Sequence, residues 1–282
     1  MKAALFADVH GKLLLPFRLV DLYQHATGER IDVILQCGDL GAYPDLAQLD
    51  KATVRHAARD RDELGFHDDF TAEKPDVKRF LDQLNVPMLA VRGNHEDHLF
   101  LDRLEAQHPQ QPRFPIDAYQ RVWVCKTGWV QQVAAGGEQL NFVGIGRIGD
   151  AKGRRHPPFI QEYEQQALRK LGKTRQDFDL LLTHDKDGGS ERGQGMADIA
   201  RLLDQVVFAY HFHGHTGEPF GQQSHENGFT TTVKIKELEF EPSGVLPPGC
   251  MVVLDKQAGA LRLEVVPTSL TNQLPRHSWR LL

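Results

Sequence analysis

The sequence predicts an α/β fold whose sheet is covered on both faces. Two observations carry this: apolar runs of strand length, and helical stretches lying between them. A third observation concerns function. Each run closes on polar residues, and ligand sites in such sheets lie at the carboxyl ends of the strands. The first strand is AALFADVH (3–10), followed by a helix through LLLPFRLVDLYQHA. The second is IDVILQCGDL (31–40), and the third is VPMLAVRGNHE (86–96), entered from the helix-like PDVKRFLDQLN. FDLLLTHD (178–185) makes a fourth, and VVFAYHFHGH (206–215), after the helical MADIARLLDQ, makes a fifth.

Two regions depart from this rhythm. Residues 41–74 form a polar insertion whose alternating charges suit a solvated helix and loop on the surface. Residues 108–158 combine the loop HPQQPRFP with the strand-like RVWVCKTGWVQQV and NFVGIGRIG, and Gly136-Gly137 predicts a hairpin turn. TTTVKIKELEF and GCMVVLDKQAGALRLEVV alternate again, which reads as a β-rich C-terminal extension at about 228–267 with a turn near 257–259. Residues 1–282 read as a single domain, without internal repeats.

Composition bounds the function class. Of 282 residues, 40% are hydrophobic and 25% charged, enough apolar material for a sizeable core. A net charge of −5 announces neither nucleic-acid nor membrane binding, although it leaves room for a local basic groove. Cys37, Cys125 and Cys250 are odd in number and scattered, giving neither a disulfide framework nor zinc-ribbon spacing. MKAALFADVHG is too short for a signal peptide and too polar for a membrane span, so the cytoplasm is the expected compartment. Fourteen histidines are many, and they hint at metal chemistry.

The strand ends sharpen that hint. Asp8 and His10 close the first strand as D-x-H-G, Gly38-Asp39 closes the second, and Gly93-Asn94-His95-Glu96 closes the third. His184 closes the fourth, and His211, His213 and His215 crowd the fifth. One D-x-H arises by chance in many proteins, but five such endings in order do not. Imidazole suits zinc, iron, manganese and nickel, whereas carboxylate and amide oxygens suit harder ions, so the mixed set fits a pair of transition metals. Two ions roughly 3.5–4 Å apart need a bridging ligand, which a carboxylate with two anionic oxygens can be.

With D-x-H, G-D, G-N-H-E, a later histidine and a closing histidine cluster, the chain resembles the calcineurin-like metallophosphoesterase superfamily from Asp8 to His215. The resemblance implies a four-layer α/β/β/α sandwich, a central β-sandwich flanked by helices. It implies two divalent ions (Mn, Fe, Zn or Ni), with Asp8 and His10 on the first, Asp39 bridging, and Asn94 and His184 on the second. It further implies a hydrolase in which a metal-activated hydroxide attacks a phosphoester and His95 protonates the leaving oxygen. Arg92 is a candidate phosphate contact and equally a candidate for a surface ion pair.

Substrate class is narrowed by departures from the pattern. GDLGAYPD lacks the G-D-x-V-D-R-G extension of Ser/Thr protein phosphatases, and with it their phosphate-binding arginine. The separation of 56 positions between Asp39 and His95 is similar to the RNA lariat-debranching branch, where an insertion also lies there. In that branch the first D-x-H position is altered, whereas Asp8 is intact here. A phosphodiester, from a nucleotide or RNA, is therefore the leading substrate. A phosphomonoesterase or nucleotide pyrophosphate hydrolase is the runner-up, for which Arg92, Arg147, Arg154 and Arg155 are the candidate extra cations. A non-catalytic scaffold is the reading from another class. Asp185 and Asp187 either orient His184 or solvate its loop.

Three registers fit AYHFHGHTGEP: His211 with His213, His213 with His215, or G-H-T-G with its last histidine replaced by Gly217. Alternation along a strand favours the pair His213 and His215, which keeps two ligands.

Overall fold

The computed structural model describes residues 1–150, 152–174, 176–189 and 194–282. Its first strand, β1 (Lys2–Phe6), leads into α1 (Leu14–Thr27) and β2 (Val33–Gln36). Two short helices, α2 (Lys51–Ala57) and α3 (Gly65–Phe70), precede α4 (Pro75–Leu84), β3 (Met88–Ala90) and α5 (His98–Gln107). Four strands follow: β4 (Arg113–Pro115), β5 (Val122–Cys125), β6 (Val130–Ala135) and β7 (Glu138–Ile145). After α6 (Glu162–Leu171) come β8 (Phe178–Thr183), α7 (Ala197–Gln205), β9 (Phe208–His213), β10 (Gly221–Ser224) and β11 (Thr231–Lys234). Last are β12 (Val252–Gln257), β13 (Ala260–Val265) and α8 (Thr268–Thr271).

These strands form two sheets. One has seven strands in the order β13-β12-β1-β2-β3-β5-β4, and the other six in the order β10-β11-β9-β8-β7-β6. At the centre of each the pairing is parallel, β1 with β2, β3 and β5, and β7 with β8, β9 and β11. Period-2 alternation then divides the apolar residues. Leu5, Leu35 and Leu89 face Phe142, Leu180, Leu182 and Phe212 of the other sheet. Phe6, Ile34 and Met88 face outward onto α1, α4 and α5 through Phe17, Leu81 and Leu101. Val143, Ile145 and Leu181 face outward from the second sheet onto Leu168, Ile199 and Leu202 of α6 and α7. The result is the expected α/β/β/α sandwich. Strands buried on both faces read as continuous apolar runs, which is why they were visible in the sequence.

Two regions differ from the expectation. The 41–74 insertion is more than a solvated excursion, because Phe66 and Phe70, four apart on one helix face, are buried against Phe17 and Tyr119. β12 pairs directly with β1, as Leu5↔Val252 and Ala4↔Val253, and β13 pairs with β12, so both belong to the first sheet. The Gly136-Gly137 hairpin is present, with both glycines at positive φ between Ala135 and Glu138. No helix among the described residues is long and apolar enough to cross a membrane.

Candidate metal centre

The loops after β1 and β2 run side by side. Asp8 N–H bonds the Gly38 carbonyl, Val9 and His10 N–H bond the Asp39 carbonyl, and Gly11 N–H bonds the Leu40 carbonyl. This zipper turns both chains sharply at the sheet edge. Asp8 (φ 49°), His10 (φ 41°), Asp39 (φ 53°) and His215 (φ 65°) all lie in the left-handed region. They are half of the eight described non-glycine residues that do so, and such strain persists only where the surroundings impose it. Glycines make the close approaches. A Cβ on Gly93 would stand 2.0 Å from Asp39 Oδ1, and one on Gly214 2.3 Å from Asp8 Oδ2.

Among the described residues two donor groups form, Asp8–His10–Asp39 and Asp39–His184–His215, each with its ligand atoms within 4.8 Å of one another. Asp39 belongs to both. Together they make a dinuclear divalent-metal site, and the donor chemistry fits that content. His184 Nδ1 must donate to the Cys37 carbonyl at 2.8 Å, because a carbonyl only accepts. Its Nε2 then presents a lone pair to Asp39 Oδ1 at 3.3 Å and Asn94 Oδ1 at 3.0 Å. Three acceptors converge there, and a cation satisfies all three. Burial, reinforced by His215, pushes the His184 pKa down to about 3 against the pull of Asp39, so the ring is neutral as a ligand must be.

Asp8 and Asp39 are carboxylates buried side by side. Burial and the neighbouring Asp39 charge raise the Asp8 pKa. Burial opposes ionisation of Asp39 too, but His184, His95, His10 and a backbone hydrogen bond hold it well below the usual carboxylate range. Asp39 Oδ1 accepts the N–H groups of Asn94 (2.7 Å) and His95 (2.8 Å), which locks the third loop onto the carboxylate common to both donor groups. Glu96 completes the lock by accepting from Leu40, Ala42 and Gly93 N–H. Burial and Asp39 push its pKa up to about 7.

His95 stands at the rim, its ring 5.6 Å from that of His10. Its Nδ1 lies 2.7 Å from Asp50 Oδ2, which also accepts from the Tyr43 hydroxyl at 2.5 Å. Burial disfavours its protonation, but the Asp50 hydrogen bond and the Asp39 and Asp50 charges prevail and lift its pKa to about 9. His10 and His95 share a mouth of about 250 Å³ with His56, Glu63, Glu237 and Glu239.

Not every candidate residue arrives. His213 is in neither donor group. In register β9 sets Tyr210 and Phe212 toward the other sheet, so His211 and His213 turn to the helix-covered face, where His211 Nε2 meets Thr183 Oγ1 at 2.9 Å. His215 lies beyond the strand with a left-handed backbone, so alternation no longer relates it to His213. Gly217 stands where the G-H-x-H register places its last histidine. Arg92 is buried, with its guanidinium on Asp102 and Glu105 of α5 and over the Phe114 ring, away from the mouth. Arg147 is likewise enclosed by Glu164 and Asp102. Asp185 braces loops by accepting from Gly149 and Gly195 N–H, and Asp187 pairs with His225.

Sequence reasoning missed Asp50, Tyr43 and the bracing role of Glu96. Asp50 does carry a local signal: it precedes K-A-T as a helix cap and accepts from Ala52 and Thr53 N–H. Nothing in its spacing points to His95, 45 positions away.

The sequence profile of a family described as calcineurin-like phosphoesterase matches residues 1–219. No curated protein matches the chain. Among solved structures, one aligns over 94% of this chain and 99% of its own with 15% identity and a TM-score of 0.54. Protein TT1561 of Thermus thermophilus aligns over 94% of this chain and 99% of its own, with 18% identity and a TM-score of 0.47. A hypothetical protein from the same organism aligns over the same shares with 15% identity and a TM-score of 0.48.

Proposed function

Because the chain belongs to the calcineurin-like phosphoesterase family, we propose that it hydrolyses phosphodiester bonds at this two-metal site, with His95 as proton donor. One observation carries the reading: Asp39 joins both donor groups while His95, backed by Asp50, lines the mouth beside His10. Asp8, His10 and Asp39 would hold one ion, and Asp39, Asn94, His184 and His215 the other. Manganese, iron, zinc and nickel all suit these donors. When bound, two such ions supply Lewis-acid activation of water and neutralise charge on the phosphoryl group.

The chain's own groups do the rest. Asp50 accepts the Nδ1 proton of His95, which leaves the Nε2 proton for the departing alkoxide. Gly93 lets the Asn94 and His95 amides close on Asp39, so the proton donor and the bridging ligand are held in one rigid turn. The mouth residues favour a diester. Among the described residues the wall of the mouth holds no arginine or lysine; Glu63 is paired with Lys12 and Glu237 with Lys236 behind it, so Glu239 is the carboxylate left to repel a dianionic monoester more than a singly charged diester. Kinship with the lariat-debranching branch rests on the 41–74 insertion alone and is kept as a proposal.

The test compares bis-p-nitrophenyl phosphate with p-nitrophenyl phosphate in the presence of manganese, alongside elemental analysis. Faster diester cleavage is expected. No turnover of either, with no bound metal, overturns the enzyme reading, and faster monoester cleavage overturns the diester preference. His95→Ala is expected to lower kcat by about 10²–10⁴-fold with metal content retained. Loss of metal in that variant assigns His95 to ligation instead.

A further inference from the structure

Beside the metal centre lies a second, larger opening. A cavity of about 750 Å³ sits between Gly149, Asp150 and Gly153 on one side and the helices α6 and α7 on the other, with Arg154, Arg155, Arg169 and Arg201 in its wall. It adjoins a depression of about 500 Å³ that shares Arg169 and Arg201 and adds Lys170 and Lys173. Six cations thus follow one another along a surface of a chain whose net charge is −5.

The carboxylates there cancel only part of this charge. Asp150 is bonded to Arg154 and Asp198 to Arg201, leaving Glu162 as the third acid of the larger cavity. Arg155, Arg169, Lys170 and Lys173 are exposed, and none has a carboxylate partner among the described residues. An ordinary solvated helix face intersperses both signs. Among the described residues the smaller depression has no acid in its wall.

Aromatic surface accompanies the charge. Tyr163, in the first turn of α6, lines the larger cavity and is 51% exposed; its hydroxyl accepts from Arg147 Nη2 at 3.4 Å, so an anchored ring offers its exposed surface to a flat partner. The Arg154 guanidinium lies over the Phe159 ring at 4.2 Å, fixed by Asp150 through Nε and Nη2. A row of cations flanked by a stacking platform is the arrangement that holds single strands, in which phosphates meet arginine and lysine while bases stack. Inorganic polyphosphate or an acidic protein would use the cations and leave the tyrosine idle.

The track also abuts the metal centre. Gly149 and Gly195, both in the cavity wall, give their N–H groups to the Asp185 carboxylate, and Asp185 directly follows His184.

We propose that this basic track binds a single-stranded polynucleotide and leads it toward the metal centre. Its direction rests on the phosphodiesterase reading, whereas the binding itself does not.

The probe is a fluorescein-labelled single strand of about 12 nucleotides with a phosphorothioate backbone, followed by anisotropy on the metal-loaded protein. Arg155→Glu with Arg169→Glu is expected to weaken binding about tenfold or more and to flatten its salt dependence. Tyr163→Ala is expected to weaken it about fivefold or more. Turnover of bis-p-nitrophenyl phosphate and metal content should not change in either variant. Unchanged affinity in the arginine variant refutes the track. Tripolyphosphate that competes fully while Tyr163→Ala binds normally refutes the polynucleotide and leaves a plain polyanion surface. If the strand binds through these residues but bis-p-nitrophenyl phosphate is not cleaved, the track stands and the phosphodiesterase reading falls.

Discussion

Replacing Asp50 by asparagine isolates the support behind His95 without disturbing the helix that presents it. Asp50 divides its oxygens between two tasks. Oδ1 caps α2 by accepting from Ala52 N–H at 2.7 Å and Thr53 N–H at 2.9 Å. Oδ2 faces three donors, His95 Nδ1 at 2.7 Å, the Tyr43 hydroxyl at 2.5 Å and the Thr53 hydroxyl at 3.0 Å. Asparagine is as good a cap as aspartate, so α2 keeps its start. On the other side an amide NH₂ now meets donors, and the negative charge is gone. A hydrogen bond to a charged group contributes about 1.5–3 kcal/mol, which corresponds to about 10- to 150-fold in kcat when it serves the proton donor.

The sign of the pH effect follows from the same contact. Asp50 and Asp39 raise the His95 pKa to about 9 against the effect of burial. A proton donor works below its pKa and fails above it, so lowering that pKa moves the alkaline limb of kcat toward neutral pH. Steady-state kinetics across pH on bis-p-nitrophenyl phosphate reads both effects, with metal analysis as the control. A kcat within about twofold of wild type and an unmoved alkaline limb refute the reasoning.

Metal stoichiometry tests the shared ligand: Asp39→Ala should empty both positions, whereas His10→Ala should leave one ion on elemental analysis. Gly93→Ala sets a Cβ 2.0 Å from Asp39 Oδ1, so metal content and turnover should fall together, with the loss visible by the same analysis. Phe70→Ala removes a fully buried ring from the insertion and should cost about 3–5 kcal/mol in urea unfolding. A cost below about 1 kcal/mol would mean that the insertion stands apart from the core.

Legibility followed periodicity. Runs such as VILQ and LLLT are buried on both faces, so their strands and the parallel sheet could be read directly. Asp8, His10, Asp39, Asn94 and His184, which the structure brings together, each end such a run. His213 falls outside both donor groups because alternation does not carry past the point where β9 stops and His215 turns left-handed. Arg92 was ambiguous because its partners, Asp102 and Glu105, lie one and two turns along a helix that the motif itself does not include. Asp50 was invisible because a long-range contact from a polar loop leaves no period to detect. Two sheets and one could not be distinguished by alternation, since both present doubly buried strands; only the resemblance supplied the second sheet.

The pairing of β1 bears on how the chain assembles. Its neighbours are β2, some 30 residues away, and β12, some 250 away, so one edge of an apolar strand stays open until residues 252–257 are in place. Contacts so distant in sequence are slow to form, and an open apolar edge meanwhile invites pairing with another chain. Asp8 and His10, the proposed ligands of one ion, follow KAALF by two and four residues. A chain ending before residue 252 therefore leaves the strand that starts the site as the edge most prone to aggregate.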